Sequence, residues 1–130
     1  VRPILFRATP RFAQVKALLG RYATPELRDL LMKANSIVSP AVMAARGRAI
    51  LAVDTIAEFK ACPVPVLYLR GERDRVVRKH VVKSLLRARP EMQVVKLPAP
   101  HLVLQVAAEP AARVIREFVA SVGDSGERNP

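Results

Sequence analysis

The sequence predicts an α/β protein in which a helical segment, residues 1–62, precedes a strand–helix–strand–helix unit, residues 63–122, and a polar, disordered tail, 123–130. Two observations carry this prediction. Apolar residues recur at helical spacing through the first segment, between Thr-Pro and Ser-Pro pairs that mark helix starts. Pro63 and Pro65 then stop that pattern and open the continuous apolar run Val66-Leu67-Tyr68-Leu69, bounded by Gly71, as expected of a strand buried on both faces.

Each element has its own signal. Phe12, Val15, Leu18 and Leu19 line one side of a helix over 11–21, which Gly20 helps to end. Thr24 is an N-cap followed by proline at the first helical position, and Leu27, Leu30 and Leu31 give the second helix its apolar side. Ser39-Pro40 repeats that start for a third helix with Val42, Met43, Ile50 and Val53 as its bulky residues. Asp54 is placed to cap a short fourth helix over 55–60. After the first strand, a helix over 77–89 turns Val81, Val82, Leu85 and Leu86 inward and ends at Pro90. Met92–Leu97 is the second strand, and Ala111, Val114, Ile115, Phe118, Val119 and Val122 define the last helix. The strand–helix–strand order predicts a parallel pair with a right-handed crossover. Two parallel strands are not a stable sheet by themselves, so a larger sheet or a partner chain is expected to complete them.

The bulk composition narrows the function classes. At 130 residues with 51% apolar content the chain suffices for one ordinary domain. No apolar stretch reaches the roughly 18 residues of a membrane span, and Val1–Arg7 is too short an apolar core for a signal peptide. The first residue is Val rather than Met, as in a trimmed or partial chain. A single cysteine, Cys62, excludes an internal disulfide and fits a reducing cytoplasm. There are 22 basic and 11 acidic residues, a net charge of +11, which fits a nucleic acid or another anionic partner. Aromatics are only 5% with no Trp, so base-stacking platforms are poorly supplied and a solvated arginine-rich surface is the simpler reading.

The chemistry concentrates after the two strands, in Gly71-Glu72-Arg73-Asp74-Arg75-Val76-Val77 and in Pro98-Ala99-Pro100-His101. Open α/β sheets place their chemistry at the carboxyl ends of strands. A carboxylate and a histidine there supply the orienting acid and the proton acceptor that a weakly nucleophilic hydroxyl requires. Asp74 suits the first role and His101 the second.

The segment from Pro65 to Val77 resembles the acid-bearing loop of α/β-hydrolase-fold enzymes. Leu97-Pro98-Ala99-Pro100-His101-Leu102-Val103-Leu104-Gln105, followed by Glu109-Pro110 and a final helix through Phe118-Val119, is similar to their catalytic-histidine segment. The resemblance covers residues 63–120 and implies the C-terminal half of that fold, with residues 10–60 similar in kind to the helical cap these enzymes insert over the pocket. It implies a serine hydrolase, esterase-like, acting on a small ester or acyl substrate, with Asp74 and His101 as catalytic residues and no metal or organic cofactor. The family's nucleophile sits on a Gly-x-Ser-x-Gly elbow, and the sequence has no such motif. The expectation is therefore an incomplete triad, inactive in this chain alone and completed by an N-terminal half or a homo-oligomer.

Each candidate has a plainer alternative. Asp74 can be a turn residue paired with Arg73 or Arg75, and His101 a packed loop histidine. Asp54 is a second candidate acid, more simply a helix cap. His80, among Arg78, Lys79 and Lys83, reads as solvated, and Cys62 as a small buried hydrophobe. Gly123-Asp124-Ser125-Gly126 looks like a serine-protease signature by chance. Between Arg70 and Arg89 eight basic residues face two acidic ones, and Arg75, Lys79, Lys83 and Arg87 fall on one helix face. Such like charges repel by about 0.2–0.5 kcal/mol per pair, which an anionic neighbour would relieve. The competing function is accordingly a non-catalytic basic interaction module for nucleic acid or an acidic protein.

Overall fold

The computed structural model describes residues 11–126, with side chains described over 13–123. Among the described residues seven α-helices and two strands follow one another: α1 (Arg11–Leu18), α2 (Pro25–Ser36), α3 (Pro40–Ala52), α4 (Ile56–Ala61), β1 (Leu67–Gly71), α5 (Lys79–Ala88), β2 (Gln93–Leu97), α6 (Val103–Val106) and α7 (Ala108–Gly126). A single 3-10 turn, Gly20–Tyr22, joins α1 to α2.

Local signals set the helix starts. Thr24 Oγ1 accepts from the Leu27 amide and Ser39 Oγ from the Val42 amide, both at 3.3 Å, each with proline at the next position. α4 starts one residue later than expected: its N-cap is Thr55, whose side chain makes no capping bond, and the Asp54 carboxylate, one residue before it, accepts from the Ile56 amide at 3.2 Å. The first helix is shorter than its apolar spacing suggests. It stops at Leu18, and Gly20, at φ +55°, redirects the chain.

β1 and β2 are parallel, with Leu67 opposite Gln93 and Gly71 opposite Leu97. Side chains alternate between the two faces. Leu69 and Val95 therefore share a face with Leu97, and there they meet Ala99, Val103, Ala107, Ala111, Val106 and Val114 in the main core. β1 is half-buried over Leu67–Leu69 rather than fully buried, and only its end, Arg70 and Gly71, is enclosed. Among the described residues it has one neighbouring strand, so its outer edge is uncovered.

The helical segment meets the sheet at two places. The Leu102 amide donates to the Leu18 carbonyl at 3.4 Å, and Leu19 is fully buried beside that junction. At the other end of the strands Arg89 acts as a clasp: its guanidinium donates to Glu91 at 2.8 Å and to the Val64 carbonyl at 3.0 Å, and it lies over the Phe59 ring of α4.

Several expected faces differ. On α3, Val42, Met43 and Ile50 are exposed, as is Val53 just beyond the helix, and only Gly47 is buried, because no described element packs on the bulky side. On α7, Ala111, Val114 and Phe118 turn inward while Ile115 and Val119 face out, a narrower stripe than the sequence spacing gives. On α5, Val82 is buried and Val81 exposed. The last helix continues to Gly126, through the first part of the expected tail; 127–130, like 1–10, lie outside the described residues. The short helix α6, within what reads as the histidine loop, has no counterpart in the sequence expectations.

Gly71 gives the sharpest test of this packing. A Cβ there would collide with the Pro100 carbonyl oxygen and stand 2.6 Å from that of Ala99, both backbone atoms that no rotamer change can move. Gly71→Ala is expected to cost about 2 kcal/mol or more, read as a lower urea midpoint. Gly123→Ala on α7, where a Cβ meets nothing within 4 Å, is expected to be neutral or to gain up to about 1 kcal/mol.

Candidate active site

Asp74 and His101, 27 residues apart, are brought together beyond the ends of β1 and β2. The ladder does not stop with the strands. The Glu72 amide donates to the Leu97 carbonyl at 2.9 Å and the Arg73 amide to the Ala99 carbonyl at 3.1 Å, so the two loops run side by side. A turn closed by the Asp74 amide on the Gly71 carbonyl, 3.1 Å, then aims the carboxylate across the gap.

The two oxygens of Asp74 do different work. Oδ1 accepts from the amides of Val76 and Val77 at 2.8 and 2.9 Å, which fixes the turn and delays the start of α5 until Lys79. Oδ2 lies 3.0 Å from His101 Nδ1. Asp74 thus serves the turn through one oxygen and meets the imidazole through the other, and its partners are amides and a ring nitrogen rather than an arginine. Among the described residues neither Arg73 nor Arg75 forms an ion pair with it.

The Asp74 side chain is 5% exposed and that of His101 32%. Burial pushes the Asp74 carboxyl upward, but the hydrogen bond with His101, the Val77 and Val76 amides and the charge of His101 outweigh it and hold the group below the usual aspartate range. An ionised carboxylate only accepts, so the contact requires hydrogen on Nδ1 and leaves Nε2 of the neutral ring as an acceptor. Burial and the nearby Asp74 charge, partly offset by Arg70, raise the Tyr68 hydroxyl above its ordinary value.

The other candidates stand apart. Asp54 accepts from the first amide of α4, and His80 is exposed in the first turn of α5. Cys62 is half-buried rather than buried, its thiol 4.0 Å from the Val64 carbonyl, because it closes α4 at the surface. Each described serine is committed to helix backbone: Ser39 caps α3, while Ser36, Ser84 and Ser121 donate to carbonyls of their own helices. Among the described residues no group of three or more His, Cys, Asp or Glu gathers as a metal site, and no helix is long and apolar enough to cross a membrane. Three residues near the loops escaped the sequence reading. Gly71 was legible only as a strand boundary, and Lys16 of α1 and Arg21 of the 3-10 turn approach the loops from a distant part of the chain.

No protein-family model matches the chain. The 2-(acetamidomethylene)succinate hydrolase of Mesorhizobium japonicum is 29% identical to it over 124 residues, covering 83% of this chain and 44% of that enzyme. The crystal structure of an E-2-(acetamidomethylene)succinate hydrolase superposes with a TM-score of 0.58 at 31% identity, over 64% of this chain and 31% of the other. This is an α/β-hydrolase fold, present in part. The chain spans less than half the length of the hydrolases it matches. The parallel pair β1–β2, with Asp74 and His101 beyond its carboxyl end, is the portion of an α/β-hydrolase sheet that the described residues contain.

The lowered Asp74 value makes stability pH-dependent in a definite sense. A group whose folded value lies below its unfolded one stabilises fully above the unfolded value, about 3.9 for aspartate, and the contribution is lost as pH falls through the folded value. Urea midpoints measured from pH 7 to 2 should fall below about pH 4, and Asp74→Asn should flatten that limb. At pH 7 the substitution should cost about 1–2 kcal/mol, the lower part of the range for a charged hydrogen bond because His101 remains partly in water.

Proposed function

We propose that this chain carries the acid and the histidine of a serine-hydrolase relay for a small ester or amide substrate, with residues 1–62 as its cap-like segment. The 3.0 Å contact between Asp74 and His101 is the observation that carries the reading. Asp74 holds the Nδ1–H tautomer and stabilises the imidazolium; His101 Nε2 takes the proton of an attacking hydroxyl and returns it to the leaving group as the tetrahedral intermediate collapses. A water, deprotonated by the same nitrogen, then releases the acyl group.

The hydroxyl is proposed to come from outside the described residues, either from further sequence or from a partner chain, since the Gly-x-Ser-x-Gly elbow is absent and the described serines are committed elsewhere. The two relatives act, by name, on a succinate bearing an acetamidomethylene group. That favours a compact acyl substrate of the same kind here, and the reading needs neither a metal nor an organic cofactor. The single cysteine supports a cytoplasmic setting.

A second reading, a basic interaction module, rests on Arg75, Lys79, Lys83 and Arg87, all exposed along or just before α5. Binding of nucleic acid through that row would weaken steeply with salt.

The relay reading predicts that the purified chain turns over p-nitrophenyl acetate no faster than its His101→Ala variant. Turnover well above the variant's would contradict the proposal that the nucleophile lies elsewhere.

A further inference from the structure

Away from the relay, the helical segment and the sheet meet around one enclosed cation. The Arg89 side chain is 6% exposed. Its Nε donates to Glu91 at 2.8 Å and its Nη2 to the Val64 carbonyl at 3.0 Å, while Cζ lies 5.7 Å from the centre of the Phe59 ring. Nη1 is buried as well, and it has no hydrogen-bond partner. A buried N–H without an acceptor keeps its full desolvation cost, and the cost is larger on a charged group. This corner of the fold therefore lacks one acceptor.

Cys62 is the group placed to supply it. Its thiol and Nη2 converge on the same carbonyl, with Sγ 4.0 Å and Nη2 3.0 Å from the Val64 oxygen. Glu91 holds the guanidinium above the ordinary arginine range against the opposing effect of burial, and the Cys62 side chain adds to that. Glu91 and Cys62 are thus the two side chains that act on the cation, and a thiol sulfur is only a weak acceptor. Cys62 is half-buried where α4 ends, so a small solute reaches it from water. It is the single cysteine of the chain, and no second thiol of the same molecule can condense with an oxidised form of it.

We propose that Cys62 is a site of reversible oxidation by hydrogen peroxide, its sulfenic form being held by the free Nη1 donor of Arg89. The sulfur attacks one peroxide oxygen, so that an S–O bond forms as the O–O bond breaks. The sulfur gives up two electrons to the peroxide, and the departing hydroxide takes the thiol proton and leaves as water. The fixed cation stabilises the negative charge that builds on the departing oxygen. The oxygen gained by the sulfur is the acceptor that Nη1 lacks. The new contact joins the end of the helical segment to Arg89, which closes α5. With no partner thiol in the chain, the sulfenic acid persists until an external thiol reduces it. None of this depends on the relay.

Treatment of the full chain with hydrogen peroxide at neutral pH in excess dimedone, with the adduct at Cys62 followed by peptide mass spectrometry, tests this. The folded wild type is expected to react about fivefold or more faster than the same chain unfolded in urea, whereas burial alone would make it slower. Arg89→Met should remove that advantage. Arg89→Lys, which keeps the charge without the planar fork, should retain part of it. Arg116→Gln, an equal loss of charge at an exposed position of α7, should leave it unaltered. Cys62→Ser should give no adduct at position 62. Without dimedone, Cys62 should gain one oxygen and return to the thiol with dithiothreitol. A folded wild type that reacts no faster than the unfolded chain overturns the proposal without reference to any variant. An undiminished advantage in Arg89→Met, an equal loss in Arg116→Gln, or a product at Cys62 that dithiothreitol does not reverse would each overturn it as well.

Discussion

The close approach of Gly71 to the Ala99 and Pro100 carbonyls is the constraint on which the rest of the site depends. Backbone can sit against backbone there only because residue 71 has no side chain. That contact lets the ladder run past the strand ends, through Glu72 to Leu97 and Arg73 to Ala99, and so puts the acid loop and the histidine loop in fixed register. Asp74 then needs one turn to reach His101. The orientation of the pair is thus set by backbone hydrogen bonds and a glycine, rather than by the packing of the two side chains themselves.

Around this point the molecule is unevenly supported. Beneath it, the face of β1 and β2 carrying Leu69, Val95 and Leu97 is covered by α6 and α7. Beside it, α1 and the 3-10 turn close on the histidine loop through Leu19. Further away, α3 presents Val42, Met43, Ile50 and Leu51 to solvent, and β1 has an uncovered edge. Exposed apolar groups and unpaired strand amides of this kind are costly in an isolated protein. They lie away from the relay, so the geometry of the site does not draw on them, and they are consistent with the proposal that further chain, from the same molecule or another, completes the sheet.

Much of this was legible in the sequence because the signals involved are short-range. Thr24-Pro25 and Ser39-Pro40 specify caps through atoms three residues away, and the structure forms both bonds. The prolines before β1 and the glycine after it delimit a strand for equally local reasons, and the acid-and-histidine pair follows from two strand ends in a parallel sheet. Burial was less legible, being a property of neighbours. The spacing of Val42, Met43 and Ile50 says that α3 has an apolar side, but not that anything lies against it. The same limit applies to Ile115 and Val119 on α7. Asp74 escaped an either-or reading because a carboxylate has two oxygens, and the sequence cannot show that one serves the turn and the other the imidazole. The convergence of Lys16 and Arg21 with Arg73 and Arg75 spans some sixty residues of chain and has no local trace.

In the proposed relay Asp74 holds His101 as the Nδ1–H tautomer, with Nε2 free to accept a proton. Long-range ¹H–¹⁵N correlation of the His101 ring at neutral pH reads the tautomer directly. A protonated Nδ1 and an unprotonated Nε2 in the wild type, lost to a mixture in Asp74→Asn, is the predicted result. An Nε2–H tautomer, or a ring that does not respond to Asp74→Asn, would contradict the account.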